Sequence, residues 1–409
     1  GRIFVGGFDR PNIRYHVRPR TDARRQLLNF LAGHAGESGI IYCGSRAKTE
    51  SLAEWLQGQG HTALPYHAGL EARIRQHHQE RFLREDGVIV VATIAFGMGI
   101  DKPDVRFVAH LDMPKSIEAY YQETGRAGRD GMAAEAWMVY GLDDVVRQRQ
   151  MIAQGQSPEA QKAIERQKLD SLLGYCETID CRRRVLLAYF GEERPEPCGN
   201  CDACLEPTTA YDGTTEAQKV LSAAYRTGQR FGAGHLVDVL TGKETERVKG
   251  LGHHRLTTFG IGTEHDKDGW KAVIRQLVAL GHLEPDPEGH GGLRLGPDCR
   301  PVLKGEATVR LRRDDLRKPP RRQAAASGRT RTSLEDPADQ ELFEKLRALR
   351  LDLAREQGVA PYMIFHDSTL AAIATNRPRD LETLGDLPGV GARKLDRYGK
   401  RVLETVTQG

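Results

Sequence analysis

Short apolar runs alternate with amphipathic stretches through the first third of the chain. GIIYC (39–43) and VIVVA (88–92) are apolar and rich in β-branched residues, which is typical of strands buried on both faces. Between them, residues 47–57 carry Leu52 and Leu56 at helical spacing. Strands and helices alternating at these lengths predict a parallel sheet with crossover helices. In such an α/β fold, polar loops gather at the carboxyl ends of the strands.

After residue 145 the pattern becomes mainly helical. Residues 146–180 are helical and charged, and further helical stretches fall within 214–281. Two short strand candidates, 282–284 and 293–295, flank the turn-rich PDPEGHGG, and helices followed by such a hairpin are typical of a winged helix. Leucines at helical spacing in 335–409 predict a separate all-α unit at the end of the chain.

Length and charge indicate a modular protein. A chain of 409 residues is expected to form several domains and not one core. The net charge of +4 is uneven, because residues 310–331 hold nine Arg and Lys against two Asp, a net of +7. This stretch predicts a flexible linker with affinity for phosphates, although solvated linker charge without a dedicated role explains it equally well. The longest apolar stretch, 88–100, is far shorter than the ~20 residues that span a bilayer, so we expect no membrane segment and no signal peptide.

Four of the seven cysteines have the spacing of a metal site: Cys181, Cys198, Cys201 and Cys204. The last three form CGNCDAC, two overlapping C-x-x-C units whose turns can present thiolates to one ion, and Cys181 completes a tetrahedron. Four thiolates predict a closed structural zinc site without an open position for catalysis. Disulfides or a redox pair are the alternatives, but an odd number of cysteines in a chain expected in the cytoplasm argues against disulfides.

The stretch QETGRAGRDG, residues 122–131, places Arg126 and Arg129 on one short turn with small neighbours. Guanidinium groups are planar, stay protonated and match the oxygens of a phosphate, which is the arginine-finger chemistry of phosphoryl transfer. Taken alone, an R-x-x-R pair is more often a solvated turn than a nucleotide site. The motifs that precede it favour the nucleotide site.

Those motifs resemble a known family. GIIYCGSRAKTE, YHAGL, VATIAFGMGIDKP and QETGRAGRDG, in this order, resemble the second motor domain of superfamily-2 helicases, and more narrowly the RecQ family of DNA helicases. The resemblance covers essentially the whole chain. It implies a second RecA-like motor domain at 1–145, a helical zinc-binding domain with four cysteine ligands at 146–208, a winged-helix (RQC) domain at 209–309, a basic flexible linker at 310–334 and an all-α HRDC domain at 335–409.

The resemblance also implies site residues. Arg126 and Arg129 are expected to act as arginine fingers on the γ-phosphate, with Gln122 coupling the nucleotide state to domain closure. Asp101 and Gly99 are expected beside ATP, Asp101 near the ribose. The implied DNA contacts are Ser45, Arg46, His67 and Thr93 along a single-strand track, Lys249, His253, His254 and Arg255 on the winged helix, and Tyr362, Arg393 and Lys394 in the HRDC domain.

Several of these assignments have alternatives. The glycine-rich hairpin at 387–394 can equally be a turn between packing helices, and Tyr362 can pack beneath it and not stack on a base. The histidines of the winged helix have no acidic or cysteine partners nearby in sequence, which disfavours a metal site. The wing tip carries His290 and glycines and lacks the aromatic wedge of some animal relatives, which argues against strand separation by this wing.

The first motor domain of such helicases carries a G-x-x-x-x-G-K-[ST] loop and a D-E-x-H box, and the sequence, which starts at Gly1, contains neither. We therefore expect the carboxy-terminal part of an ATP-dependent 3′→5′ DNA helicase of recombination and repair, inactive without its front domain. Expected cofactors are structural zinc, with ATP and Mg²⁺ in the complete enzyme. Expected partners are single-stranded, forked or junction DNA and a single-stranded-DNA-binding protein.

We further expect a monomer in the bacterial cytoplasm, associated with the nucleoid and not with a membrane. Two alternatives stay open at this point. One is a DNA-binding scaffold without a motor that uses the zinc, winged-helix and HRDC modules. The other is an RNA-directed superfamily-2 enzyme, against which that set of modules argues.

Overall fold

The computed structural model describes residues 7–97, 100–286, 291–313, 334 and 336–408. The predicted nucleotide residue Gly99, the wing-tip residue His290 and most of the predicted basic linker lie outside the described residues.

The first domain is built on six strands: β1 (Ile13–Pro19), β2 (Gly39–Tyr42), β3 (Ala63–Tyr66), β4 (Ile89–Ala92), β5 (Phe107–His110) and β6 (Ala134–Tyr140). They form one parallel sheet in the order β1-β6-β5-β2-β4-β3. Its helices are α1 (Ala23–Leu31), α2 (Arg46–Gly58), α3 (Ala72–Arg84) and α4 (Ile117–Thr124). The predicted parallel α/β sheet is confirmed.

Burial on both faces explains the unbroken apolar runs of the central strands. Every residue of β2, β4 and β5 is buried. Helices α1 and α2 contribute to the core on one face, and α3 and α4 to the core on the other. The first residue of β2 is glycine because the ring of Phe107 lies 2.1 Å from the position that a Cβ atom of residue 39 would take.

A helical platform joins the motor domain to the rest of the chain. Its helices are α5 (Leu142–Gln154), α6 (Glu159–Glu177), α7 (Arg182–Tyr189) and α8 (Asp202–Leu205). Leu169, Leu172 and Tyr175 of α6 are fully buried in a hydrophobic core that runs without a break from the motor sheet into the platform. The two domains therefore share one core and are not separated by a loose linker.

The next domain contains β7 (Ala210–Asp212), α9 (Thr214–Arg226), α10 (Ala233–Leu240), α11 (Glu246–Gly250), the 3₁₀ turn His253–Arg255, α12 (Lys267–Ala279), β8 (Leu283–Pro285), β9 (Leu293–Leu295), α13 (Cys299–Lys304) and β10 (Arg310–Arg312). β8 and β9 form the antiparallel hairpin predicted for a wing. β10 pairs antiparallel with β7 and closes the domain.

The strand β10 corrects the predicted start of the basic linker. Arg310–Arg312 was expected in the linker because of its charge, yet it is a strand in which Leu311 is fully buried. Arg312 fits beside this core because its guanidinium lies 3.1 Å from a carboxylate oxygen of Glu177. A buried cation with a counter-ion satisfies the rule that buried charges are paired.

The last domain has its own hydrophobic core and consists of α14 (Pro337–Gln357), α15 (Pro361–Ile364), α16 (Asp367–Asn376), α17 (Leu381–Gly385) and α18 (Ala392–Gln408). Asp336 caps α14 by accepting from the amide of Ala338, and Gly358 ends that helix at a φ of 65°. Among the described residues, no helix combines the length and the apolar character that crossing a membrane requires.

Candidate nucleotide, nucleic-acid and metal sites

The arginine loop, residues 125–131, follows α4 and returns to the segment that precedes β5. Arg129 Nη1 donates to Asp101 Oδ1 over 2.7 Å and lies 3.3 Å from the carbonyl oxygen of Ile100. The side chains of Arg129 and Asp101 are 37% and 82% exposed. Because exposed ion pairs contribute little stability, this pair can open at small cost and release both groups to a ligand. Gln122, in the last turn of α4, is also exposed.

Arg126 is more enclosed than Arg129. Its Nε atom is buried and has no hydrogen-bond partner among the described residues. Gly97 packs against it, since a Cβ atom there would lie 3.3 Å from Arg126 Nη2. Tyr42 donates to the carbonyl of Phe96 over 2.9 Å. Burial raises the pKa of Tyr42, and the Arg126 guanidinium opposes that shift. Arg126 is therefore held beside Tyr42 and the loop after β4 with an unused donor, as a preorganised oxyanion donor must be.

The predicted single-strand track lies at the carboxyl ends of three neighbouring strands. Ser45, His67 and Thr93 follow β2, β3 and β4, which are adjacent in the order β2-β4-β3. Ser45 caps α2, and the exposed Arg46 begins that helix and approaches Gly69, whose Cβ position is 3.0 Å from Arg46 Nη1. The structure thus brings these residues to the edge where open α/β sheets bind ligands.

His67 occupies a different position from its track neighbours. It is only 3% exposed, and its Nε2 atom lies 2.9 Å from Glu50 Oε1. Its Nδ1 atom accepts from the amide of Gly69 over 3.2 Å. The imidazole therefore joins α2 to the turn at Gly69. Because it is buried, the DNA contact that the resemblance implied for His67 does not fit its position.

Asp112 is a charged group that the sequence analysis missed. It lies just after β5 and accepts hydrogen bonds from the amide of Gly44, from Lys48 Nζ and from Arg147 Nη1, at 2.8, 2.5 and 3.0 Å. Burial favours the protonated acid, but the hydrogen bonds from Lys48 and Gly44 outweigh it and hold the pKa of Asp112 below its usual range. The sequence carries a signal for Asp112, because a charged residue shortly after a buried strand is expected at the edge of the sheet where ligands bind.

The four predicted cysteine ligands meet at one point. The Sγ atoms of Cys181, Cys198, Cys201 and Cys204 all lie within 4.8 Å of one another, and none of the four cysteines forms a disulfide. Four sulfurs at ~2.3 Å from one tetrahedral zinc ion would lie ~3.8 Å apart, so a small contraction suffices. A hydrogen bond from the Cys198 thiol lowers the pKa of Cys201 to about 5, which favours a first thiolate at this cluster. Within the part of the chain that the structure describes, no other group of three or more His, Cys, Asp or Glu side chains could hold a metal.

Two arginines beside the cysteine cluster attach it to the motor sheet. Arg182 is 3% exposed and donates to Asp202 Oδ1 over 2.5 Å and to the carbonyl of Tyr175 over 2.7 Å. Asp202 in turn accepts from the amide of Val17 in β1 over 2.9 Å. Arg183 donates to the carbonyl of Ile13 in the same strand over 2.6 Å. The loop that carries the cysteines and the edge strand β1 are therefore joined by hydrogen bonds.

On the winged helix, the predicted contacts separate into exposed and buried residues. Lys249 and Arg255 are exposed, and His254 is partly buried. His253 is only 8% exposed, and its Nδ1 atom lies 2.7 Å from Nε2 of His235. Burial lowers the pKa of His253, and burial lowers that of His235 to about 4, which keeps this pair neutral near pH 7. His253 therefore packs inside the domain, and the prediction that it contacts DNA does not fit its position.

The HRDC hairpin depends on one glycine. Gly389 has a φ of 86°, and a Cβ atom there would lie 2.1 Å from Thr369 Oγ1, so no other residue fits. The hairpin leads into α18, where Arg393 is exposed and Lys394 lies 5.4 Å from the ring centre of Phe365. Burial lowers the pKa of Lys394. The turn is thus required for packing, which leaves the exposed Arg393 as the freer of the two cations.

Comparisons with known proteins agree with this arrangement. Family models match residues 22–131 as the helicase conserved C-terminal domain, 142–205 as the RecQ zinc-binding domain, 207–320 as the RQC domain and 339–406 as the HRDC domain. The chain is 42% identical over 99% of its length to the ATP-dependent DNA helicase RecQ of Haemophilus influenzae. This chain belongs to the RecQ family. The resemblance noted in the sequence, and the multidomain fold class it implied, are confirmed.

Other RecQ relatives extend the comparison. The chain is 36% identical over 98% of its length to the ATP-dependent DNA helicase RecQ of Bacillus subtilis. It is 32% identical over 99% of its length to the RecQ-like DNA helicase BLM of Xenopus laevis. The chain spans 65% of the length of each of the two bacterial RecQ relatives and 32% of the frog relative. The match to the RecQ zinc-binding domain includes all four clustered cysteines.

Proposed function

We propose that this chain forms the carboxy-terminal part of an ATP-dependent DNA helicase that moves 3′ to 5′ on single-stranded DNA in recombination and repair. The observation that carries the proposal is the pairing of two sites on one sheet. The arginine loop offers donors for a triphosphate, while Ser45, Arg46 and Thr93 lie at the carboxyl ends of the strands. The RecQ relatives named ATP-dependent DNA helicases support it.

ATP would bind between the second motor domain, residues 1–145, and a front motor domain that carries the phosphate-cradling loop. Arg126 and Arg129 would donate to the γ-phosphate oxygens as charge develops on them, an effect worth about 10³–10⁵ in turnover for arginine fingers. Arg129 would leave Asp101 in the process, and the freed carboxylate would accept from a ribose hydroxyl. Gly99 would lie beside the nucleotide, and Mg²⁺ would enter with ATP.

The loop after β4 offers a physical link between the nucleotide and the DNA strand. Thr93 begins this loop, and Gly97, four residues further along, packs against Arg126. A movement of Arg126 toward a phosphate would therefore shift the loop that carries Thr93. Gln122, one turn before Arg126, would couple the same movement to closure of the two motor domains. Repeated closure and opening would advance the strand past the track.

Zinc fits the cysteine cluster, because four thiols converge within reach of one ion. When bound, the ion would supply a structural cross-link between the loop of Cys198–Cys204 and the start of α7. Cys181 and Cys201 would hold the two ends of that link. Arg182 and Asp202 would transmit the resulting order to β1, as their hydrogen bonds connect the cluster to Val17.

The remaining domains would grip DNA outside the motor. Lys249, His254 and Arg255 of the winged helix would contact duplex ahead of the fork, and Tyr362, Arg393 and Lys394 would contact single strands or junctions. We propose that the protein acts as a monomer in the cytoplasm, at the nucleoid, and that a single-stranded-DNA-binding protein is a partner. The assignments of Lys249, Arg255 and Arg393 rest on their exposure and positive charge, since phosphate contacts from Lys and Arg dominate such affinity. Those of His254, Tyr362 and Lys394, which are partly buried, rest on the resemblance to the RecQ family.

The test is Arg129→Ala in a full-length protein that contains this chain. DNA-stimulated ATP hydrolysis should fall by about 10³-fold or more, whereas affinity for single-stranded DNA should stay unchanged, because the arginine loop is not part of the track. Arg166→Ala is the matched control, since Arg166 is 38% exposed and pairs with Glu159 on the platform. Normal turnover by the Arg129 variant would rule out its role as a finger.

A further inference from the structure

Two arginines of α14, Arg347 and Arg350, reach from the HRDC domain to the motor domain. Arg350 is fully buried, and its Nη1 atom donates to Asp367 Oδ1 over 2.7 Å and to the carbonyl of Phe365 over 3.0 Å. Its Nη2 atom lies 3.6 Å from Asp86 Oδ2, and Nη2 of Arg347 lies 3.4 Å from the same oxygen. Asp86 belongs to the motor domain, between α3 and β4. We call Asp86, Arg347 and Arg350 the ionic latch.

The latch lies on the amino-terminal edge of the motor sheet, opposite the single-strand track. Segments that precede β2, β4, β5 and β6 line a cavity of 540 Å³ there, together with α14. Met132, just before β6, packs against the hydrophobic core of the HRDC domain. The HRDC domain is therefore seated on a defined surface, with an apolar contact beside the charged one.

The polar groups in this contact indicate that the HRDC domain can separate from the motor domain. Asp86 Oδ1 and Arg350 Nε are buried and have no hydrogen-bond partner among the described residues. A buried ion pair stabilises a contact only when its remaining donors and acceptors are also satisfied. This latch is incompletely satisfied, so it gives the docked state a specific geometry and only a modest advantage over the open one.

Docking also determines what Tyr362 can reach. This residue follows the start of α15 and is partly buried. Burial raises the pKa of its phenol, and the motor carboxylates Asp101 and Asp104 raise it further. Because the residue is partly buried in the docked state, its ring is not fully available to a DNA base.

We propose that the amino-terminal edge of the motor sheet is a docking site for residues 336–408, held by the ionic latch, and that docking withholds Tyr362 from single-stranded DNA. Release of the latch exposes the ring for stacking. The statement about DNA rests on the proposed function of the HRDC domain, whereas the statement about docking does not. The two parts therefore need separate measurements.

Hydrogen–deuterium exchange of the full chain tests the docking. Arg347→Glu places a carboxylate against Asp86, so amide exchange in motor peptides covering 34–38 and 130–134 should quicken by at least about tenfold. Exchange within the zinc-binding and winged-helix domains should not change. Arg355→Glu is the matched control, because Arg355 lies on the same helix with its side chain 71% exposed. Unchanged exchange in those motor peptides, with the HRDC helices still protected, would overturn the docking site.

Affinity for a labelled oligothymidylate tests the consequence. If the latch keeps about nine molecules in ten docked, Asp86→Asn should tighten binding through the HRDC domain by up to about tenfold, since apparent affinity scales with the competent fraction. Asp143→Asn, an exposed carboxylate on α5, controls for the loss of one negative charge. Adding Tyr362→Ala should remove the gain from Asp86→Asn. An equal gain in the Asp143 variant, or a gain that survives Tyr362→Ala, would refute the withholding of Tyr362 while leaving the docking result intact.

Discussion

Removal of the Arg182 guanidinium gives the most quantitative test of how the cysteine cluster is attached to the motor sheet. Arg182 is 3% exposed and pairs with Asp202, which is 4% exposed. Burial alone would raise the pKa of Asp202, but Arg182 outweighs it and holds that pKa below its usual range. Arg182→Met keeps the apolar stem and leaves the Asp202 carboxylate buried without its counter-ion.

Breaking a buried ion pair by removing one partner costs about 3–5 kcal/mol. With a urea dependence of about 2 kcal/mol per molar, a loss of about 4 kcal/mol lowers the denaturation midpoint by about 2 M. The assay is urea denaturation monitored by the release of zinc to a colorimetric chelator. Zinc release reports on unfolding of the zinc-binding domain and not of the whole multidomain chain. Arg184→Met is the matched control two residues along the same helix, where the side chain is 40% exposed and pairs with Asp180.

The control should change the midpoint by no more than about 0.5 M, because exposed pairs contribute about 0–1 kcal/mol. The double variant Arg182→Met/Asp202→Leu should recover much of the loss, since replacing both partners leaves no uncompensated charge. A midpoint for Arg182→Met within error of the wild type would refute the claim that this pair joins the cysteine cluster to β1.

Three further outcomes are expected. Chelation of the metal should lower the melting temperature of the chain and reduce its helical circular dichroism, with recovery on adding zinc; an unchanged melting curve would contradict a structural metal. Burial would lower the pKa of His34, but the Glu135 carboxylate 3.7 Å away and the hydrogen bond with Glu37 outweigh it and raise that pKa to about 9. The folded state therefore gains up to about 3 kcal/mol below pH 6.5 and loses it as pH rises toward 9, so unfolding by urea should show this decline in the wild type and not in His34→Gln. Arg255→Ala should weaken duplex binding and lower the slope of log affinity against log salt by about one, whereas the exposed Lys304→Ala should do neither.

Features with a local signal could be predicted from the sequence. The parallel sheet followed from apolar runs such as 39–43 and 88–92, because a strand buried on both faces leaves no polar alternation. The metal cluster followed from the spacing of Cys198, Cys201 and Cys204, since consecutive short turns bring such thiols together. The first signal is the run of apolar residues that burial on both faces imposes, and the second is the short spacing of residues that are close in sequence.

Features set by distant partners could not be predicted. Arg310–Arg312 has the composition of a linker, and its strand is stabilised by distant partners: by pairing with β7, by hydrogen bonds of Gln276 to the Arg312 backbone, and by the carboxylate of Glu177. His253 lies in a basic stretch, and its burial depends on His235 and Phe231 in the preceding helix and loop. The contact of Asp86 with α14 joins the motor domain to the opposite end of the chain, and neither segment carries a local sign of it.

The central claim is that this chain supplies the arginine half of a helicase motor. The most direct measurement is DNA-stimulated ATP hydrolysis by the chain alone, and by the chain joined covalently to a RecQ front motor domain. We predict no turnover alone, clear turnover for the joined protein, and loss of that turnover with Arg129→Ala. Turnover by the chain alone would reveal a different nucleotide site. A joined protein that binds forked DNA but hydrolyses no ATP would contradict the claim and favour a DNA-binding scaffold.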